Sequence, residues 1–181
     1  MTDASDLLTL FKDYRLEAHK RLFDVIAELD HEQFRWPPGV TLPSIAFHLW
    51  HLGRWADFDR EAAGGGAQIW RAEDLASKWG LNSPNLGVAE TGMGMGDAIT
   101  PALARIASDQ IQDYAYRSLK AFDDHVASFS AADLRRTTTG ATGGQGDIGN
   151  LLLGHFAHDN RHLGMIEALR GMQGMSGTAT D

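Results

Sequence analysis

The sequence predicts an all-α fold, a four-helix bundle with one long crossover between its second and third helices. Three observations carry this expectation. Four long segments repeat apolar residues at three- and four-residue steps, the period of an amphipathic helix. No stretch alternates apolar and polar residues as a half-buried strand would. Glycine and proline clusters punctuate the chain between the segments. At 181 residues, 43% of them hydrophobic, the chain can fill one core, so a single domain over residues 1–174 is expected.

The first helix is read from about Ser5 to Leu29. Leu7, Leu8, Phe11, Leu22, Val25, Ile26 and Leu29 mark its inner face, and Lys12, Asp13, Glu17 and Lys20 its outer one. Trp36-Pro37-Pro38-Gly39 then breaks the chain. The second helix opens near Pro43-Ser44, because proline is tolerated in a first turn. It closes before Gly64-Gly65-Gly66. Ile45, Ala46, Phe47, Leu49, Trp50, Leu52, Trp55 and Phe58 make it apolar nearly all round, which marks a buried or dimer-forming helix. Trp50 and Trp55 are read as core or interface residues rather than a ligand cage.

The third helix is read as one piece, with Thr100 as N-cap, Pro101 at its first position and its end near Ser130. Leu103, Ile106, Ile111, Tyr114, Leu119, Phe122, Val126 and Phe129 follow its inner face. The fourth follows Asp147 as N-cap, carries Ile148, Leu151, Leu152, Ile166 and Leu169, and stops at Gly171. Residues 64–98 form the crossover, with room for a short amphipathic helix around Ala72–Lys78. So long a loop in a compact domain is usually functional or partly disordered. The small, polar tail 175–181 is expected to be disordered.

Composition excludes several functions. The formal net charge is −8 and the only basic cluster is Arg135-Arg136, so a nucleic-acid partner is not expected. No run of about 18 apolar residues exists, so no membrane span is expected. The acidic start of the chain lacks the basic region of a secretory signal, and a cytoplasmic location is expected. With no cysteine, any metal site must be built from nitrogen and oxygen.

The chemistry-bearing residues are histidines. Five of the eight fall in two apolar helices: His48 and His51 in the second, His155, His158 and His162 in the fourth. Neutral imidazole is the commonest protein ligand for divalent transition metals. His158 and His162, four apart, share a helix face. His155 stands about 10 Å along the axis from His162, too far for metal–nitrogen bonds of ~2.0–2.1 Å to a common ion. Two of the three therefore serve as ligands, with 158/162 the leading pair and 155/158 the runner-up. One of His48 and His51 is expected to join them. A single histidine on an apolar face is more often a satisfied core residue, and it is the second pair that raises the metal reading.

Other features weigh less. Residues 144–149 match G-x-G-x-x-G and open a helix, but Thr137-Thr138-Thr139 is not read as a buried strand. Asp147 would also put negative charge where a pyrophosphate should sit. Asp57 and Asp159 lie off the faces of their helices' histidines and are read as solvent-facing or in surface ion pairs.

Two segments, LPSIAFHLWHLGRWAD (42–57) and HDNRHLGMIEALR (158–170), together resemble the DinB/YfiT-like metalloenzyme family. The resemblance extends loosely over residues 5–173. It implies a four-helix bundle in up-down-down-up order and a divalent metal held by three histidines. Carried over by position, these are His51, His158 and His162, which leaves His48 and His155 as pocket neighbours. Relatives include transferases and isomerases that use bacillithiol or mycothiol, and sulfoxide synthases that favour H-x-x-x-H-x-E. Here Gly164 stands at that last position, so the latter ligand set is absent. The resemblance also implies a homodimer.

Three neutral ligands leave open coordination positions, the mark of a catalytic rather than a structural site. The leading expectation is a divalent-metal-dependent enzyme acting on a small molecule, a low-molecular-weight-thiol-dependent transferase or a hydrolase. Zinc or nickel is the expected metal, with iron or copper as alternatives. His48 and His155 are candidate general bases by proximity alone. A non-catalytic metal- or small-ligand-binding stress protein is the second reading. A bundle with empty histidines, whose second helix serves dimerisation, is the third.

Overall fold

The four apolar segments fold into four long helices around one core. In a computed structural model, residues 4–39, 42–95 and 99–176 are described. Along the chain come α1 (Ala4–Ala27), α2 (His31–Arg35), α3 (Ile45–Ala62), α4 (Ile69–Ala72), α5 (Leu75–Lys78), α6 (Ile99–Leu103) and α7 (Ser108–Ala127). A two-stranded hairpin, β1 (Thr137–Thr139) and β2 (Gln145–Asp147), then leads into α8 (Ile148–Met172). Both α3 and α1 pack against α7 and α8. Among the described residues no helix is long and apolar enough to cross a membrane.

The all-round apolar α3 lies in the core, as its composition demands. Ile45, Leu49, Trp50, Leu52 and Ala56 are buried against Ile111, Tyr114, Leu119 and Phe122 of α7 and Leu152 and Ile166 of α8. Each fully buried large side chain contributes roughly 1.5–3 kcal/mol. At Gly53 the α3 and α7 backbones nearly touch, since a Cβ there would lie 2.9 Å from Ala115 Cα. Buried imidazoles on α3 are therefore held on a rigid element.

Several boundaries differ from the sequence reading. α1 stops at Ala27, because Asp30 starts a new helix: its carboxylate accepts from Gln33 N and Gln33 Oε1 accepts from Asp30 N. The helix expected from Thr100 to Ser130 is two pieces. The five-residue step from Ile106 to Ile111 is off the helical period, and Ala107 takes an extended conformation between α6 and α7. The short helix expected at Ala72–Lys78 is likewise divided, at left-handed Asp74, into α4 and α5. α8 runs past Gly171 to Met172, and Gly174 is its left-handed terminator. Gly174 N donates to Gly171 O and Met175 N to Arg170 O.

The strands were not expected. Thr137 pairs with Asp147, Thr138 with Gly146 and Thr139 with Gln145, antiparallel. Thr138 Oγ1 donates to Ala62 O at 2.7 Å, pinning the hairpin to the end of α3. Asp147 then caps α8 as expected, accepting from Asn150 N at 2.7 Å. The crossover is packed: Trp70, Leu75, Leu81 and Leu86 are buried. The tail expected at 175–181 lies largely outside the described residues.

Candidate metal centre

Helices α3 and α8 bring His51, His158 and His162 together. One ring nitrogen from each lies within 4.8 Å of the others, and the cluster could hold a metal ion. His51 and His162 are buried and His158 is half-buried. His51 Nε2 and His158 Nε2 are 3.0 Å apart. Donors around one ion with ~2.0–2.1 Å bonds stand roughly 3.0–3.4 Å from each other, so this edge already has the needed spacing.

The side chains are prepared as neutral donors. Burial, reinforced by the neighbouring imidazole His158, pushes His51 down to about 4. Burial and His155 lower His158 to about 4. Burial with His158 and His51 nearby takes His162 to about 2. The tautomer of His51 is set by Thr91, whose carbonyl oxygen accepts from Nδ1 at 2.5 Å and leaves Nε2 with its lone pair inward. The Nδ1 atom of His158 is buried without a hydrogen-bond partner among the described residues. A nitrogen-only, neutral donor set with one orphaned ring atom fits a borderline divalent ion such as zinc or nickel.

His48 and His155 sit beside the triad. His48 Nδ1 lies 2.8 Å from His162 Nδ1, and burial lowers its pKa to about 4. His155 Nδ1 is 2.7 Å from Asp59 Oδ2, and its Nε2 faces Asp159 Oδ1 at 3.4 Å. Trp55, expected in the core or an interface, stands edge-on to His51 and His158. It lines a cavity of about 480 Å³ between the hairpin and α8. Asp59, His155 and His158 also line it, with Gln145 from the glycine-rich hairpin and Asn150 from α8.

Asp57 and Asp159 overturn the surface reading, since both are buried. Asp57 accepts from Ile69 N at 2.9 Å and Trp70 N at 2.8 Å, holding the start of α4. Asp159 accepts from His19 Nε2 at 3.1 Å. Burial alone would raise its carboxyl, but His155, His19 and Arg15 outweigh that and hold it far below the usual carboxylate range. Their helix positions did point inward from the histidine stripe, toward α1 and α7. Only knowledge of those neighbours turns that position into a buried site. Asp59 was also missed: it lies four residues before Ala63 on α3 and became part of the site only when α8 packed across it.

Comparison with known proteins agrees with this architecture. The DinB superfamily model matches residues 16–166. The crystal structure of a conserved protein from Enterococcus faecalis superposes with a TM-score of 0.71 at 16% identity, covering 90% of this chain and 94% of that one. That likeness speaks to fold. No curated protein sequence matches the chain. With the model spanning most of the chain and both histidine helices, this protein belongs to the DinB superfamily.

Proposed function

We propose that the chain is a divalent-metal-dependent enzyme that transfers a low-molecular-weight thiol to a small substrate or hydrolyses that substrate. The observation that carries this reading is the convergence of three neutral imidazoles beside an open cavity. A divalent ion held by His51, His158 and His162 would supply Lewis acidity, lowering the pKa of a thiol or water and polarising a substrate carbonyl. Zinc and nickel suit the donor set best, with iron or copper next. Trp55 and the hairpin shape the substrate space, and His158 is the ligand that borders it. Asp59 is the carboxylate on that wall placed to receive a substrate proton, with His155 Nδ1 supporting it. The up-down-down-up order of the long helices and a cytoplasmic location, without nucleic-acid or membrane partners, belong to the same reading.

A homodimer also belongs to it. On α1, Leu7, Leu10 and Tyr14 are exposed, and Leu153 of α8 is 60% exposed. Leu7 and Leu153 rim an apolar groove floored by Leu8, Phe11 and Leu152. A ridge and a groove on one face suit a two-fold contact between identical chains.

The test is metal content of protein purified without nickel affinity, followed by turnover with electrophiles, esters and several thiols. One metal per chain and thiol- or water-dependent turnover are expected. Both should be lost in a His51→Ala, His158→Ala, His162→Ala variant. Stoichiometric metal without any turnover would favour the non-catalytic binding reading, and unchanged metal in the triple variant would remove the site.

A further inference from the structure

We propose that Arg54 is a positioning residue for His51, acting through the turn formed by residues 89–92. The inference rests on the metal-site reading above. Thr91 O fixes the His51 ring, so whatever holds Thr91 sets the direction of Nε2. Local backbone preference does not hold it. Ala89 and Glu90 are consecutive left-handed residues with φ of 50° and 58°, a conformation that a Cβ disfavours.

Thr91 N and Oγ1 both donate to Val88 O, which closes the turn on itself, and a guanidinium ties the turn to α3. Arg54 is fully buried on α3, three residues after His51. Its Nε donates to Glu90 O at 2.9 Å and its Nη2 to Ala89 O at 3.1 Å, so both strained residues are gripped by one planar group. That group is itself locked. Nη1 donates to Tyr114 OH at 3.0 Å, Nη2 also donates to Gln68 Oε1 at 2.8 Å, and Cζ lies 4.9 Å from the Trp70 ring centroid. Asp57 Oδ2 stands 3.5 Å from Nη1 as counter-charge. A lysine has neither the fork nor the number of donors to bridge these acceptors together. From the other side the turn closes at Gly92, whose φ is 87°. A Cβ there would fall 2.8 Å from Trp50 Cζ3 and 3.0 Å from His51 Nδ1. The long crossover thus has a defined role: it delivers one carbonyl to one imidazole, and Arg54 on the same helix as that imidazole keeps it there.

Nitrogen-15 spectra of the histidine rings test this without any metal. The His51 resonances, assigned by their loss in His51→Ala, are expected to report a single Nδ1–H tautomer. Arg54→Lys preserves the charge, and Gly92→Ala preserves Arg54; each is expected to shift His51 to mixed tautomers. Each should also weaken cobalt(II) binding by about 10- to 100-fold, the usual effect of removing a ligand's supporting partner. Arg15→Lys, at an equally buried arginine paired with Asp123, is the control: it should lower stability and leave the His51 tautomer unchanged. An unaltered His51 tautomer in Arg54→Lys overturns the proposal, whatever Gly92→Ala does, because a Cβ at Gly92 presses on the His51 ring directly. A shifted tautomer in those variants, with no cobalt bound even by the wild type, upholds the positioning role and overturns the metal-site reading instead.

Discussion

His51 Nε2 lies 3.0 Å from His158 Nε2 across the contact between α3 and α8. Because His51 Nδ1 already donates to Thr91 O, its Nε2 is the acceptor of that contact and His158 Nε2 the donor. The same spacing suits two bonds to one ion.

Ligand and neighbour should separate cleanly. His51→Gln or His162→Gln is expected to reduce zinc affinity by more than the ~10–100-fold typical of an outer partner. His155→Gln should stay within that range, because His155 faces Asp59 and Asp159 rather than the triad. Competition against a chelator of known affinity measures both. Equal losses would place His155 among the ligands.

Metal retention should persist into acid. His51 and His158 titrate near 4 because of burial and neighbouring imidazoles, and His162 lower still. For an unperturbed imidazole, protons compete with the ion from about pH 6.5 downward. This one is expected to hold zinc at pH 5.5 and release it near pH 4, measured by metal content after dialysis. Loss of zinc already complete at pH 5.5 would contradict the burial argument.

The same shifts make the metal-free fold sensitive to acid. Between about 4 and 6.5 the unfolded chain binds protons at His48 and His51 that the folded chain does not, so stability falls as pH falls through this window. The slope is at most about 1.4 kcal/mol per pH unit for each of the two. His19 acts with the opposite sign. Burial would lower its pKa, yet Asp123 and Asp159 raise it, so its contribution is complete below about 6.5 and is lost as pH rises through the raised value. Urea midpoints from pH 7 to 5 should decline in the wild type and decline less in His48→Phe. An equal slope in that variant would exclude His48 as a source.

The link from α1 to the site's underside should matter for stability. His19 joins Asp123 at 2.7 Å and Asp159 at 3.1 Å, and Arg15 Nε joins Asp123 at 2.6 Å. His19→Ala leaves the buried Asp159 without its hydrogen-bond donor, while Asp123 keeps Arg15, and is expected to cost about 3 kcal/mol in chemical unfolding. Lys20→Ala, next door in an exposed pair with Asp24, should change little. A His19→Ala loss no larger than that of Lys20→Ala would mean solvent reaches the network.

If two chains meet through the α1–α8 face, Leu10→Glu with Leu153→Glu should convert a dimer to a monomer in light scattering, with an unchanged helical signal. A wild type that is already monomeric at micromolar concentration would dispose of the interface.

Much of the architecture was legible because it is local. The 3.6-residue period named all four long helices, Asp147 capped α8 as read, and an α3 without a polar face announced its own burial; Ser44 caps α3, which leaves Pro43 before the helix rather than in its first turn. Spacing on α8 alone ruled out a five-histidine cage. Where local signals were weak, boundaries slipped: the five-residue step after Ile106, the Asp30–Gln33 capping box and the hairpin of three threonines were all present but short.

The sequence by itself determined that two apolar helices carry imidazoles at one-turn spacing and that no thiolate can join them. Tertiary structure decided which nitrogens meet. His48 and His51 differ by three residues on one helix, and only the rotation of α3 against α8 places His51 Nε2 opposite His158 and turns His48 to His162. Asp57 and Asp159 read as surface charges in the sequence because the backbone and imidazole donors that bury them lie 12 and 140 residues away. Burial of a charge depends on those distant groups supplying hydrogen bonds in place of water, and that is a property of the packed chain, not of any segment of it.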